Sequence, residues 1–155
     1  KFMKDYAAAG LQGKIPLWGT FLTEGTAKGA GAAAEGIKST LHYSTELDNP
    51  VNVKFKADFK KATGDDADVF AIQGFDAGSL LIQGLDGVNG DTGARMELHN
   101  AMQSAKIDSP RGMFTFSKAN HPIQNIYLRE VQGGLNKVIG VAAEALEDPA
   151  IGCKA

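Results

Sequence analysis

The chain has 155 residues, enough for about one domain with a buried core, and its 43% hydrophobic and 22% charged residues are those of a soluble globular protein. A net charge of −2 argues against a nucleic-acid-binding face, and no apolar run reaches the ~20 residues of a membrane span. Cys153 is the only cysteine, so no disulfide closes within the chain.

The first residues, KFMKDYAAAG, read as an amphipathic helix already under way. Phe2, Met3 and Tyr6 share a face, Gly10 suits the position just past a helix end, and no capping residue precedes them. With Lys1 in place of an initiator Met, this predicts a chain that begins partway through a larger protein, with a processed N-terminus as the alternative. A Gly13-Lys14 turn leads to IPLW (15–18), expected as a short buried strand ending at Gly19. TFLTEGT (20–26) is expected as a loop with at most a helical turn. GIKSTLHYS (36–44) alternates, with Ile37, Ser39, Leu41 and Tyr43 on one side, and reads as a strand.

Asn49-Pro50 is an N-cap followed by the first helical position, and Val51, Phe55 and Phe59 repeat along a helix that Gly64 stops. Its lysines form a solvated face, with Asp58 at helical spacing to pair with them. Residues 68–90 are apolar on nearly all sides, which predicts a central helix packed on several neighbours. Residues 91–107 form a further helix with Leu98 and Met102 inward and Asp91 or Thr92 as cap. GMFTF (112–116) is a strand, and residues 123–131 and 136–141 form a hairpin about Gly133-Gly134. The tail from 142 is expected to hold one short helical turn before Pro149. The order of elements predicts an α/β fold with its helices clustered in the middle and no internal repeat.

The run AKGAGAAAEGI (27–37) contains Gly29, Gly31 and Ala34 at the loose spacing of a dinucleotide-binding loop, with Glu46 or Asp48 as a distal acid. That fingerprint must follow a strand directly and open a helix. The preceding strand ends ten residues earlier, and too little chain remains before the next one for a phosphate-binding crossover. The run is therefore expected to be a small-residue link. His42, His99 and His121 lack paired metal-ligand spacing, and Ser79 lacks a nucleophile elbow. Glu24 and Glu35 are a conceivable carboxylate pair whose separation the sequence does not fix. No cofactor, metal or catalytic group is indicated.

Aromatic residues at element ends are more informative. Trp18 and Phe21 flank Gly19-Thr20 where a strand ends, the place where α/β folds bind ligands, and Phe70 and Phe75 lie near the start of the apolar helix. Their pattern alone is equally consistent with core packing.

Four stretches together resemble a known family: LWGTFLTEGT, GAAAEGIKSTLHYS, ADVFAIQGFDAGSLLIQGL and SPRGMFTFSKANHPIQNIYLREV. Their order and spacing are similar to the closing part of periplasmic solute-binding proteins of the branched-chain amino-acid ABC transporter family, which have the type I periplasmic-binding-protein fold. The resemblance implies an α/β, two-lobed protein with parallel sheets and flanking helices, here lacking its N-terminal half. Residues 1–43 and 112–141 would be second-lobe segments, 44–111 a first-lobe helical segment and 142–155 a C-terminal tail.

It further implies a non-catalytic, periplasmic, non-membrane-embedded protein without cofactors that takes a small carboxylate ligand, of aromatic-acid or branched-chain amino-acid type, and delivers it to a membrane permease. A ligand-sensing receptor of the same fold is the alternative. The implied ligand contacts are Trp18, Gly19, Thr20 and Phe21 in one loop, with Phe70, Gln73 and Phe75 on the helix. Amino-acid-binding members carry an acid in that loop for the ligand ammonium. Here Thr20-Phe21-Leu22 occupies the place and Glu24 comes late. A buried ammonium without a carboxylate is costly, whereas an aromatic ring stacks on a flat ligand, so an aromatic acid is expected.

Overall fold

A computed structural model describes residues 1–152 of the chain, so the Cys153 thiol lies outside the described residues. Helix α1 (Phe2–Ala8) buries Tyr6, whose hydroxyl donates to the Leu11 carbonyl at 3.0 Å, and Gly10 leaves the helix at a φ of 68°. Strand β1 (Trp18–Thr20) is followed by α2 (Glu24–Ala30), a 3₁₀ turn (Gly31–Ala34) and β2 (Lys38–Leu41). Then come α3 (Pro50–Thr63), α4 (Val69–Gly87), α5 (Arg95–Gln103), β3 (Thr115–Phe116), β4 (Pro122–Gln132) and β5 (Leu135–Leu146).

The five strands form one mixed sheet, β1-β2-β4-β3, with β5 also paired to β4. β1 and β2 run parallel, Trp18 opposite Lys38 and Thr20 opposite Thr40, because α2 carries the chain back between them. The other pairings are antiparallel, so the expected parallel arrangement is confined to β1 and β2. The β4–β5 hairpin turns on Gly133 and Gly134, both at positive φ (61° and 79°), which glycine adopts without a Cβ clash. Leu22, Ala27, Ala34, Ile37 and Val131 form one apolar cluster beneath α2. Leu41, Tyr43, Phe55, Val69 and Ile72 form a second between β2, α3 and α4, and Ala105, Ile107 and Phe114 a third.

Several elements match their sequence signals. Asn49 caps α3 by accepting from the Asn52 amide at 2.8 Å, Pro50 opens it, and Gly64 closes it at a φ of 81°. Leu98 and Met102 of α5 do face inward. They lie so close to α4 that a Cβ placed on Gly84 would sit 2.4 Å from Met102 Cγ, and one on Gly87 would sit 2.8 Å from Ala101 Cβ.

Other expectations are corrected. The first strand lies at 18–20 rather than 15–18 and is exposed rather than buried, because it pairs on one side only and Pro16 has no N–H to give a ladder. Residues 24–30 are helix rather than loop: Thr23 accepts from the Thr26 amide and caps it, and the small residues let it lie flat on Leu22, Ile37 and Val131. The small-residue link formed by the glycine run is thus the end of a helix and a 3₁₀ turn that lead into β2. Its glycines lie well after the helix start, so they still do not cradle a phosphate at an N-terminus. The helix at 91–107 is shorter at both ends, since Asp91 closes a turn onto the Gly93 amide instead of capping. α4 is not enclosed on several sides: Phe70, Phe75, Leu81 and Ile82 are exposed, because α3 and α5 cover only part of its circumference. β5 runs on to Leu146, replacing the expected helical turn in the tail.

Candidate functional site

The β1 strand ends at Thr20, and the next residue, Phe21, has a φ of 56°. For a bulky side chain this is a strained conformation, held only where neighbours over-determine it. It turns the Phe21 ring outward, 47% exposed, to within 6.0 Å of the Phe70 ring at an interplanar angle of 59°. Phe70 is the second residue of α4 and is 57% exposed. Asp68 fixes that turn by accepting from the Phe70 and Ala71 amides, each at 2.9 Å.

Two aromatic rings from segments far apart in sequence therefore meet at the surface, contrary to the core reading of their pattern. Gln73 is exposed one helical turn beyond Phe70. Trp18, 56% exposed, lies at the far end of β1 with the Lys38 ammonium 5.5 Å from its ring centre. Gly19 and Thr20 complete the strand between them. Phe75 points elsewhere: its ring packs at 5.1 Å on Phe55 of α3.

The acids near these elements are already committed. Glu24, in the first turn of α2, has an Oε1 3.8 Å from Nη1 of Arg129, and both of its carboxylate oxygens are buried. Arg129 is fully buried and donates to the carbonyls of Leu22 (2.9 Å) and Tyr43 (3.0 Å) and to Ser39 Oγ (3.1 Å). Glu35 does not pair with Glu24: it accepts from the Gly133 and Gly134 amides and caps the β4–β5 turn. Asp76 is buried with its Oδ2 2.9 Å from Arg111 Nε. Burial pushes its carboxyl pKa up, while the Ser109 hydroxyl and the Arg111 charge hold it down.

His42 follows β2 with a buried Nε2 that finds no partner among the described residues. Burial, reinforced by Arg111 and Arg129, lowers its pKa to about 4, so it is neutral at pH 7. Among the described residues no group of three or more His, Cys, Asp and Glu side chains gathers to hold a metal. No described helix is long and apolar enough to cross a membrane. A cavity of about 680 Å³ opens beside α2, between it, Asp66–Asp68 and the β4–β5 turn, but its walls carry Glu24, Glu46, Asp68, Lys28 and Lys56 rather than aromatic rings.

Arg129 was not singled out by the sequence reading, although a signal exists. Tyr127, Arg129 and Val131 alternate on one face of β4, and all three are buried, so a period of two places a charge among core positions.

Residues 1–136 match the model of a family described as periplasmic binding protein. Over 136 residues the chain is 31% identical to the Leu/Ile/Val-binding protein homolog 6 of Brucella abortus, covering 84% of this chain and 35% of that protein. Among solved structures, the solute-binding protein of an R. palustris ABC transporter in complex with benzoate superposes with a TM-score of 0.91 and 52% identity, covering 99% of this chain and 42% of that one. A solute-binding protein of Rhodopseudomonas palustris HaA2 in complex with p-hydroxybenzoic acid gives a TM-score of 0.86 at 29% identity, over 97% of this chain and 43% of that one. The chain thus spans about a third of the curated relative and about two fifths of these structures.

Proposed function

We propose, from the premise that this chain belongs to the periplasmic binding protein family and is an α/β portion of the type I fold, that it carries part of a binding site for an aromatic carboxylate. In this reading the whole protein is a non-catalytic, periplasmic subunit of an ABC importer. It closes two lobes on its ligand and hands that ligand to a membrane permease. Residues 1–43 and 112–141 are the second-lobe segments and 44–111 the first-lobe helices, with 142–155 as tail. The bond from Asn49 Nδ2 to the Pro110 carbonyl (2.9 Å) would tie together the two stretches that cross between them.

The observation that carries the reading is the exposed Phe21–Phe70 pair beside acids that are already engaged. An amino-acid ligand brings an ammonium group that needs a carboxylate in a site shielded from water. Glu24 faces Arg129, Asp68 caps α4 and Asp76 faces Arg111, so the acids nearest the Phe21–Phe70 pair among the described residues are each engaged. A flat, amine-free acid needs none. Phe21 and Phe70 would flank its ring, while the Thr20 hydroxyl and the Gln73 amide offer uncharged donors to its carboxylate. The ligands bound by the two R. palustris proteins are of this chemical class.

Titration calorimetry of the full-length protein against benzoate and against leucine tests the proposal. Benzoate is expected to bind, and Phe21→Ala and Phe70→Ala are each expected to weaken it by roughly 2- to 12-fold, the range of one aromatic contact. Tight leucine binding with no heat from benzoate would overturn it.

A further inference from the structure

Thr20 is fixed by the β1–β2 ladder, in register with Thr40. Leu22 is fixed by its side chain, buried with Ala27, Ile37 and Val131, and again by its carbonyl. That carbonyl accepts two hydrogen bonds, from Arg129 Nη2 at 2.9 Å and from Asn136 Nδ2 at 3.1 Å. Phe21 must close the single-residue gap between two pinned neighbours, and it does so at a φ of 56°.

Nothing in the Phe21 side chain favours that conformation. An unconstrained phenylalanine returns to negative φ, which moves its Cβ and swings the ring away from Phe70. Arg129 has no solvent exposure and directs its Nη donors at protein oxygens, so a ligand carboxylate has no approach to it. Its effect on a ligand is therefore indirect.

We infer that Arg129 and Asn136 are positioning residues: by clamping the Leu22 carbonyl they hold the Phe21 ring in place and so set the site's preference for flat ligands. This inference rests on the aromatic-acid reading given above. Asn136 sits beside the hairpin turn and Arg129 in the middle of β4, so the sheet itself sets the geometry of the loop.

The test compares benzoate with cyclohexanecarboxylate, which has the same charge and a puckered ring, in the full-length wild type and in Arg129→Lys and Asn136→Ala. The affinity ratio of the two acids is expected to fall roughly five-fold in each variant, the scale of one misplaced aromatic contact. In a Phe21→Ala background the same substitutions should leave the ratio unmoved. A purely structural role for the clamp lowers the thermal midpoint and leaves the ratio at its wild-type value, and that result overturns the inference. Asn136→Ala removes one donor and keeps the buried charge paired, so it carries the test where Arg129→Lys does not fold. A wild type that binds neither acid overturns the underlying site reading instead, before any variant is made.

Discussion

Glu24→Gln separates two roles for an acid close to the Phe21 loop. If Glu24 is the counter-ion of Arg129, neutralising it leaves a buried guanidinium with only neutral acceptors. At the observed 3.8 Å, two unit charges in an effective dielectric of ~20 attract by about 4 kcal/mol. Neither Glu24 oxygen accepts a hydrogen bond from the described residues, so the substitution removes charge interaction and little else. The carbonyls already around Arg129 reduce the figure to about 2–4 kcal/mol, within the range for stripping one partner from a buried pair. For a chain of this size that is a fall of roughly 4–16 °C in Tm.

Urea denaturation of wild type, Glu24→Gln, Arg129→Met and the double variant measures the coupling directly. Arg129→Met strips the buried Leu22 and Tyr43 carbonyls of a donor and is costly in either background, but it should cost less after Glu24→Gln, where it also removes an unpaired charge. A loss below about 1 kcal/mol, or simple additivity in the cycle, would refute the counter-ion role. It would also return Glu24 to candidacy as an ammonium partner for an amino-acid ligand.

His42 makes stability depend on pH. Its folded pKa of about 4 lies below the unfolded value near 6.5, so the stabilisation is complete above pH 6.5 and is lost as pH falls from there through 4. The loss is about 1–3 kcal/mol, and denaturation curves of His42→Gln should be flatter across that window than those of wild type. Gly87→Ala should destabilise by about 1–2 kcal/mol, because the new Cβ meets the rigid Ala101 Cβ at 2.8 Å and that strain exceeds the ~1 kcal/mol of helix propensity gained. Ala101→Gly in the same chain should restore the lost space, read as recovery of the denaturation midpoint relative to Ala101→Gly alone. Asp68→Ala should cost about 1–2 kcal/mol by releasing two amides of α4, and calorimetry should show weaker benzoate binding because Phe70 sits on the turn that frays.

Elements whose ends are marked by local chemistry were legible in the sequence. Asn49, Pro50 and Gly64 bound α3, and Gly133-Gly134 bounds the hairpin, because each acts through its own backbone or the next turn. α2 was not legible. Gly25 and Gly29 lower its intrinsic helicity, and what stabilises it is the burial of Ala27 against Leu22, Ile37 and Val131, the last contributed by a strand about a hundred residues later. The same non-locality explains α4. Its composition announces burial on several faces, but which of them this chain covers depends on where α3 and α5 pack.

The candidate site divides along the same line. Phe21 and Phe70 stood out as aromatic residues at element ends, whereas their 6.0 Å approach is a property of the tertiary fold. The missing loop acid was visible as a residue type, but its consequence depends on Glu24, and Glu24 can be judged only against Arg129. An acid two residues past Leu22 reads as a displaced ligand group while the arginine is unknown. Set 3.8 Å from a buried guanidinium, it becomes the charge that allows Arg129 to sit beneath the loop and hold the Leu22 carbonyl. On that view the aromatic at 21 and the acid at 24 belong to one arrangement. The loop lacks an exposed carboxylate, uses the nearest buried one as counter-charge to Arg129, and presents a strained phenylalanine at the surface.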